Sequence, residues 1–327
     1  MNETRGVWMK KGNKMMTILA VSILIFLGGC SGMNNKTNQK EEDTSEENAS
    51  TDEAMNGYEQ ENFIRIQDYT GEGYILRGSR KETGEIAEEH REELVESVEQ
   101  FFLHNYKTEV KVNNIVSAYD SVTVFVESVG KPHFYTYAIV PVEVENKEVA
   151  TDQVWLQEGQ VENAIQGALY AWAYEEEFAK LDEYLERVTV KYPVVGTPLE
   201  AIETVMGTGY TTTYYFITTF DDIFDTLLDN YLENPNLTKE ELVEFFSENT
   251  LDPNYIAFGV ELYMKEENTE PSEEVYDQIY KELEELEGIP RGSYYFFLND
   301  NSIDRLRGVG SKENSIDKTK KDAIIRE

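Results

Sequence analysis

Residues Val110–Val144 read VKVNNIVSAYDSVTVFVESVGKPHFYTYAIVPVEV, and this stretch decides the fold. Val122, Val124 and Val126 alternate with Thr123 and Phe125, the period of two that sends successive side chains to opposite faces of a strand. Three strand-like runs follow one another, Val110–Tyr119, Val122–Ser128 and Phe134–Val144, with Gly130 and Pro132 in one of the short gaps. Gaps this short permit hairpins but not the long crossovers of parallel strands, so the runs predict an antiparallel meander. Upstream, Thr83 is placed to cap a helix whose Leu94, Val98, Phe101 and Phe102 share a face and which ends near Tyr106. The first half therefore reads as a helix packed on an antiparallel meander.

Beyond the meander the pattern is mixed. After Gly159 a long helical stretch carries Val161, Ile165, Leu169, Trp172, Leu181 and Leu185 near one face. Thr197-Pro198-Leu199-Glu200 has the form of a capping box with proline at the first helical position. Tyr210–Phe220, rich in Thr, Tyr and Phe, reads as a strand. A helix with Phe220, Phe224, Leu227 and Tyr231 on one face follows, and Thr238 with Glu241 opens another. Tyr255–Met264 and Ser293–Leu298 read as strands around an acidic amphipathic helix, Ser272–Glu287, which Gly288 and Pro290 stop. The fold class is α+β, with one subdomain over 62–155 and a mixed one over 156–310. No internal repeat is evident.

Two aromatic runs stand out. In Tyr214-Tyr215-Phe216 and Tyr294-Tyr295-Phe296-Phe297 neighbouring side chains must point to opposite faces of a sheet. One face packs on helices. The other is covered by the chain's own second layer, the plainer reading, or serves as a recognition surface.

The search for chemistry returns little. His90 and His104 lie fourteen positions apart on the expected helix, about 21 Å at 1.5 Å per residue, too far to share a metal. His133 has no local partner. There is no G-x-S-x-G elbow, S-x-x-K, H-E-x-x-H, Walker loop or G-x-G-x-x-G, and Gly207-Thr208-Gly209 and Gly308-Val309-Gly310 read as turns. Asp221, Asp222, Asp225 and Asp229 cluster, but on a helical wheel they oppose Phe220, Phe224, Leu227 and Tyr231 and form a solvated face. Asp300-Asn301-Ser302-Ile303-Asp304 is oxygen-rich yet lacks the glycine and terminal glutamate of a calcium loop. No catalytic residue, metal ligand or cofactor is assigned.

The first 29 residues have the order of a secretory signal: Lys10, Lys11 and Lys14, then an apolar run over Met15–Leu27. That run is shorter than the roughly 20 residues of a membrane span. It ends in Leu27-Gly28-Gly29-Cys30, where small residues admit a peptidase between Gly29 and Cys30 and the thiol accepts a diacylglycerol. This resembles the lipobox of bacterial lipoproteins. It implies a palmitate-type anchor on Cys30, with two chains giving the stable attachment that one does not, and a place on the outer face of the cytoplasmic membrane. Met9 is an alternative start that keeps all three lysines. Cys30 is the one cysteine, so once acylated it leaves the mature chain without disulfides, thiolate nucleophiles or cysteine ligands.

Charge supports an anchored body that stands off its membrane. Residues 1–29 hold Arg5, Lys10, Lys11 and Lys14 against Glu3, so their removal takes the formal net charge from −35 to −38. Such a body repels nucleic acid and anionic headgroups and attracts cationic partners. From Lys40 to Arg65 there are nine acidic residues and no basic one, which makes 30–61 a disordered tether. Its r.m.s. reach is on the order of 30 Å. The tail 311–327, with Lys312, Lys318, Lys320, Lys321 and Arg326, is relatively basic and reads as a disordered terminus able to fold back on the acidic body.

Asn105-Tyr106-Lys107-Thr108, Asn114-Ile115-Val116 and the hairpin Ser121–Pro132, with Asp68-Tyr69-Thr70-Gly71 before them, are similar to a family of Gram-positive lipoproteins known as domain of unknown function 1672. The resemblance implies a lipid-anchored envelope protein and brings no catalytic residues with it. The leading expectation is a non-enzymatic lipoprotein that binds a ligand or an envelope partner. A solute-binding component of a transporter would need two lobes of parallel βαβ units. An envelope hydrolase would need two carboxyl groups roughly 5 to 10 Å apart in a deep pocket.

Overall fold

The computed structural model describes residues 57–249, 251–319 and 323–327. The expected signal segment, with Gly29 and Cys30, and nearly all of the expected tether lie outside the described residues.

After a short strand β1 (Phe63–Arg65) come two helices, α1 (Lys81–Glu89) and α2 (Arg91–Tyr106). The sequence pointed to one helix capped by Thr83. Thr83 instead lies buried within α1, its hydroxyl donating to the carbonyls of Arg80 at 2.7 Å and Ala118 at 2.9 Å. The chain bends at His90 (φ −109°, ψ 21°). The bend brings Ile86 and Ala87 of α1 and Leu94, Val98 and Phe102 of α2 into one core.

The meander forms as expected, with β2 (Val110–Ser117), β3 (Ser121–Ser128), β4 (Tyr135–Glu143) and β5 (Glu148–Val149) in sequence order and all antiparallel. Val122 opposes Val140 and Val124 opposes Ala138, so fully buried apolar pairs meet α1 and α2. A bulge between Val112 and Asn114 shifts the register of β2. Val110 and Val112 join the helix-side core before it and Ile115 after it, while Val116 turns with Phe125 to the opposite face.

The second half contains α3 (Gln160–Ala173), α4 (Glu175–Lys191), β6 (Val194–Val195), a short α5 (Leu199–Ala201) that runs into a π turn over Ile202–Met206, and β7 (Tyr215–Thr219). Then come α6 (Asp222–Glu233), α7 (Lys239–Glu248), β8 (Ile256–Met264), α8 (Glu273–Glu285), β9 (Gly292–Asn299), β10 (Ser302–Asp304) and β11 (Ile324–Arg326). The two expected capping boxes part company. Thr238 accepts from Glu241 N at 3.2 Å while Glu241 accepts from Thr238 N at 2.8 Å. No side chain caps α5, and Thr197 N donates to Thr213 O at 2.8 Å. The strand expected from Tyr210 starts only at Tyr215, because the chain folds back to bridge Thr211 with Phe216.

The second sheet runs β11-β9-β8, with β7 and β6 sharing the far edge of β8. The β8–β9 pair is parallel and its other pairs are antiparallel. One face of it is fully buried: Phe258, Val260, Leu262, Tyr294, Phe296 and Leu298 pack with Leu169, Phe178, Phe224 and Ile279 of the helices. Phe258 stacks on Tyr294 at 4.4 Å and Tyr276 on Phe296 at 4.7 Å between ring centroids. The same buried cluster contains Val122, Val124 and Phe102, so it takes side chains from both halves of the folded chain.

The described residues of the tail, 311–319 and 323–327, are a correction to the expected disorder. Ile316 bridges Leu298, Phe296 N donates to the Thr319 hydroxyl at 2.9 Å, and β11 pairs antiparallel with β9. Lys318 forms ion pairs with Glu273 and Asp277 of α8, the fold-back its charge allowed. Among the described residues no helix is long and apolar enough to cross a membrane.

Candidate functional site

The second face of this sheet is one place where aromatic side chains are left partly open. Registers across β7, β8 and β9 align Phe216, Gly259 and Tyr295 in one row, and Glu261 with Phe297 in the next. Tyr214 flanks that row, its carbonyl accepting from Glu261 N at 2.9 Å. Phe216, Tyr295 and Phe297 are half-buried and belong to neither hydrophobic cluster nor to the side chains packed on them. Towards one end the face becomes more exposed, with Phe220 49%, Tyr255 45% and Ile325 41% exposed. The aromatic runs thus divide: Tyr215, Tyr294 and Phe296 go into the core, while Phe216, Tyr295 and Phe297 do not. Gly259 makes room for this, since a Cβ there would stand 2.4 Å from Phe216 Cζ.

At the other end the face dips into a recess of about 150 Å³ lined by Thr197, Thr208, Thr211, Thr212, Thr213, Phe216 and Glu261, among others. Glu261 is the one acid in its wall. It lies deep in the body yet keeps part of its surface open. Burial pushes its carboxyl pKa up, while Tyr263 and Asn299 pull the other way. Asn299 Nδ2 donates to Glu261 Oε1 at 2.9 Å, and Asn299 Oδ1 in turn accepts from the Ser315 hydroxyl at 2.6 Å, so the docked tail helps to hold the carboxyl. Tyr263, two residues on and on the same face, is fully buried. Burial and then the Glu261 charge raise its pKa well above the usual range. Glu261 and Thr197 are near enough to act on that titration, yet Tyr263 Oη makes no hydrogen bond of ordinary geometry. Glu261 carries a signal in the sequence, being the one charged residue in the strand IAFGVELYM.

The residues singled out from sequence are placed elsewhere. His90 Nε2 meets Lys147 O at 3.0 Å, His133 packs edge-on against Tyr135 at 5.1 Å, and His104 lies on α2. Asp221 caps α6 by accepting from Ile223 N at 3.0 Å, Asp225 accepts from Gln166 at 2.9 Å, and Asp222 and Asp229 are exposed. Asp300 pairs with Lys312 and accepts from Ser302 and Asn314, and Asp304 accepts from Tyr58 and from Leu306 N. Among the described residues no group of three or more His, Cys, Asp or Glu is arranged to hold a metal. A larger furrow of about 730 Å³ runs between α4 and α8. Both of its cations are paired, Arg187 with Glu183 and Lys191 with Glu282, and it is an open surface without a convergent polar group.

A family model described as "Protein of unknown function (DUF1672)" matches residues 56–326. Among solved structures, the crystal structure of a DUF1672 family protein from Staphylococcus aureus subsp. aureus Mu50 is similar to this chain with a TM-score of 0.66 at 18% identity, covering 81% of this chain and 98% of that one. At that identity the likeness is one of fold. No curated protein matches.

Proposed function

We propose that this chain, which belongs to the DUF1672 family, is an extracytoplasmic lipoprotein that acts by binding at the cell envelope. In this reading a diacylglycerol on Cys30 attaches it to the outer face of the cytoplasmic membrane after cleavage between Gly29 and Cys30. The acidic stretch that follows lifts the folded body off the headgroups. The observation that carries the binding role is the row of half-buried aromatics, Phe216, Tyr295 and Phe297, which stabilise neither core and lead into a recess with one carboxyl. Exposed aromatic surface on a folded domain is costly to keep and marks recognition sites. A hydrolase using paired carboxylates finds only Glu261 in this recess. None of the three sheets among the described residues has the all-parallel form of a two-lobed solute-binding fold.

Metabolic labelling of the full chain with an alkyne-tagged palmitate in a bacterial host tests the anchor. Wild type should carry the label and a mature N-terminus at Cys30, and Cys30→Ala should carry neither. An unlabelled wild type, or label that survives Cys30→Ala, overturns the anchor.

A further inference from the structure

The open face and the recess share one electrostatic character. Across Phe216, Thr218, Tyr255, Gly259, Tyr295 and Phe297 there is no charged side chain, in a chain with 64 acidic residues against 29 basic ones. Among the described residues of this face a phosphate or carboxylate ligand would meet no cation, and it would meet a repulsive body around it. Among the described residues a cationic ligand would find Glu261 alone as counter-charge, and the burial of that carboxyl disfavours its charged form. What the surface does offer is flat aromatic rings beside the threonine hydroxyls of the recess. A ligand that suits this set is uncharged, has apolar faces to lie on rings, and carries hydroxyls that donate and accept at its edges. The recess holds one small unit of such a ligand and the aromatic row continues beyond it, which calls for a chain of units and not a single one.

We infer that this face binds a neutral oligosaccharide, stacked on Phe216, Tyr295 and Phe297 with a terminal sugar residue seated against Glu261 and the recess threonines. The inference rests on the reading of this face as the binding surface. A sugar hydroxyl seated in the recess meets Glu261 and the threonines that line it. The rings take the apolar faces of successive residues, in the way aromatic faces take other flat groups.

The test is isothermal titration of the full chain, extracted in a detergent without a sugar headgroup, with two uncharged probes, tetra-N-acetylchitotetraose and cellotetraose. Saturable binding of either is expected. It should weaken about tenfold in Tyr295→Ala and in Phe297→Ala, the scale of one lost aromatic contact. Phe297→Leu keeps the apolar volume and removes the ring, so it should weaken binding too while leaving the melting temperature near that of wild type. No binding of either probe at millimolar concentration overturns the inference, as does binding that all three variants leave unchanged. A photo-crosslinking residue at position 297 of the anchored protein separates the two levels. Crosslinks in the native envelope without sugar binding overturn the ligand class and keep the face. Neither crosslinks nor sugar binding overturns both.

Discussion

Two glycines provide a direct physical test of which aromatic surface is open. A methyl group added at Gly310 would stand 2.2 Å from Tyr263 Cε1 and 2.4 Å from its Oη, and one added at Gly259 would stand 2.4 Å from Phe216 Cζ and 2.6 Å from its Cε1. The two intrusions are nearly equal, and ordinary contact would need each ring to retreat by about 1 Å. Their outcomes should differ because of what lies behind each ring. Tyr263 is fully buried, in an interior packed to crystal-like density, so Gly310→Ala should cost about 3 kcal/mol, the upper end of overpacking. Phe216 is half-buried and outside both cores, and its ring can swing towards solvent. Gly259→Ala then loses part of a phenyl burial worth about 1.5–3 kcal/mol in full and regains about 0.5 kcal/mol or more from replacing glycine within a strand. The net cost should be about 1 kcal/mol or less. Urea unfolding followed by far-ultraviolet circular dichroism, at constant slope against denaturant, reads both values. If Gly259→Ala costs as much as Gly310→Ala, Phe216 is clamped and the face is not open.

Glu261→Gln keeps an oxygen for Asn299 and removes the buried charge. Because the folded-state pKa is raised, the wild-type chain gains stability from protonation below the ordinary carboxylate range and loses it as pH rises through the folded value, so the variant should be the more stable at pH 7 and equal to wild type near pH 3. Thermal melts across that range test it, and a variant less stable at pH 7 contradicts the desolvation account. Ile324→Ala, at a position 5% exposed opposite Tyr294, should lower unfolding free energy by about 2 kcal/mol; a loss under about 0.5 kcal/mol in urea titration would return the tail to the unstructured class. Thr238→Ala should cost about 1 kcal/mol through the lost cap, measurable in the same titration, with no effect on binding at the recess, which Thr238 does not line.

Where the sequence was legible, one periodicity acted without competition. Val122, Val124 and Val126 alternate cleanly, and each finds an apolar partner or helix on one side of β3. Thr238 and Glu241 cap because their helix starts at the surface, with nothing competing for the hydroxyl. The same signature at Thr197 and Glu200 fails because Thr197 is buried and its backbone is already joined to Thr213. His90 breaks the expected single helix so that two helices can reach one core, a tertiary demand that helical spacing alone does not express. The candidate site was half visible. Alternation placed Tyr214–Phe216 and Tyr294–Phe297 on both sheet faces, but only the parallel register of β8 against β9 brings Phe297 level with Glu261. That register depends on contacts far apart in sequence, and Glu261 gave only the hint of a lone charge in an apolar strand.

The charge of the body also bears on what covers the open face. A second copy of the chain would answer its apolar character, but pairing two such faces brings together two chains of formal charge −35 each. That repulsion extends over a Debye length of about 10 Å at 0.1 M salt and contracts to about 3 Å at 1 M. Self-association through this face should therefore strengthen steeply with salt. An uncharged oligosaccharide releases no counterions and alters no long-range field, so its affinity should stay within about twofold over the same range. Salt dependence thus separates the two occupants, and a face that binds equally well in dilute and concentrated salt is one that recognises shape and hydroxyls within an anionic shell.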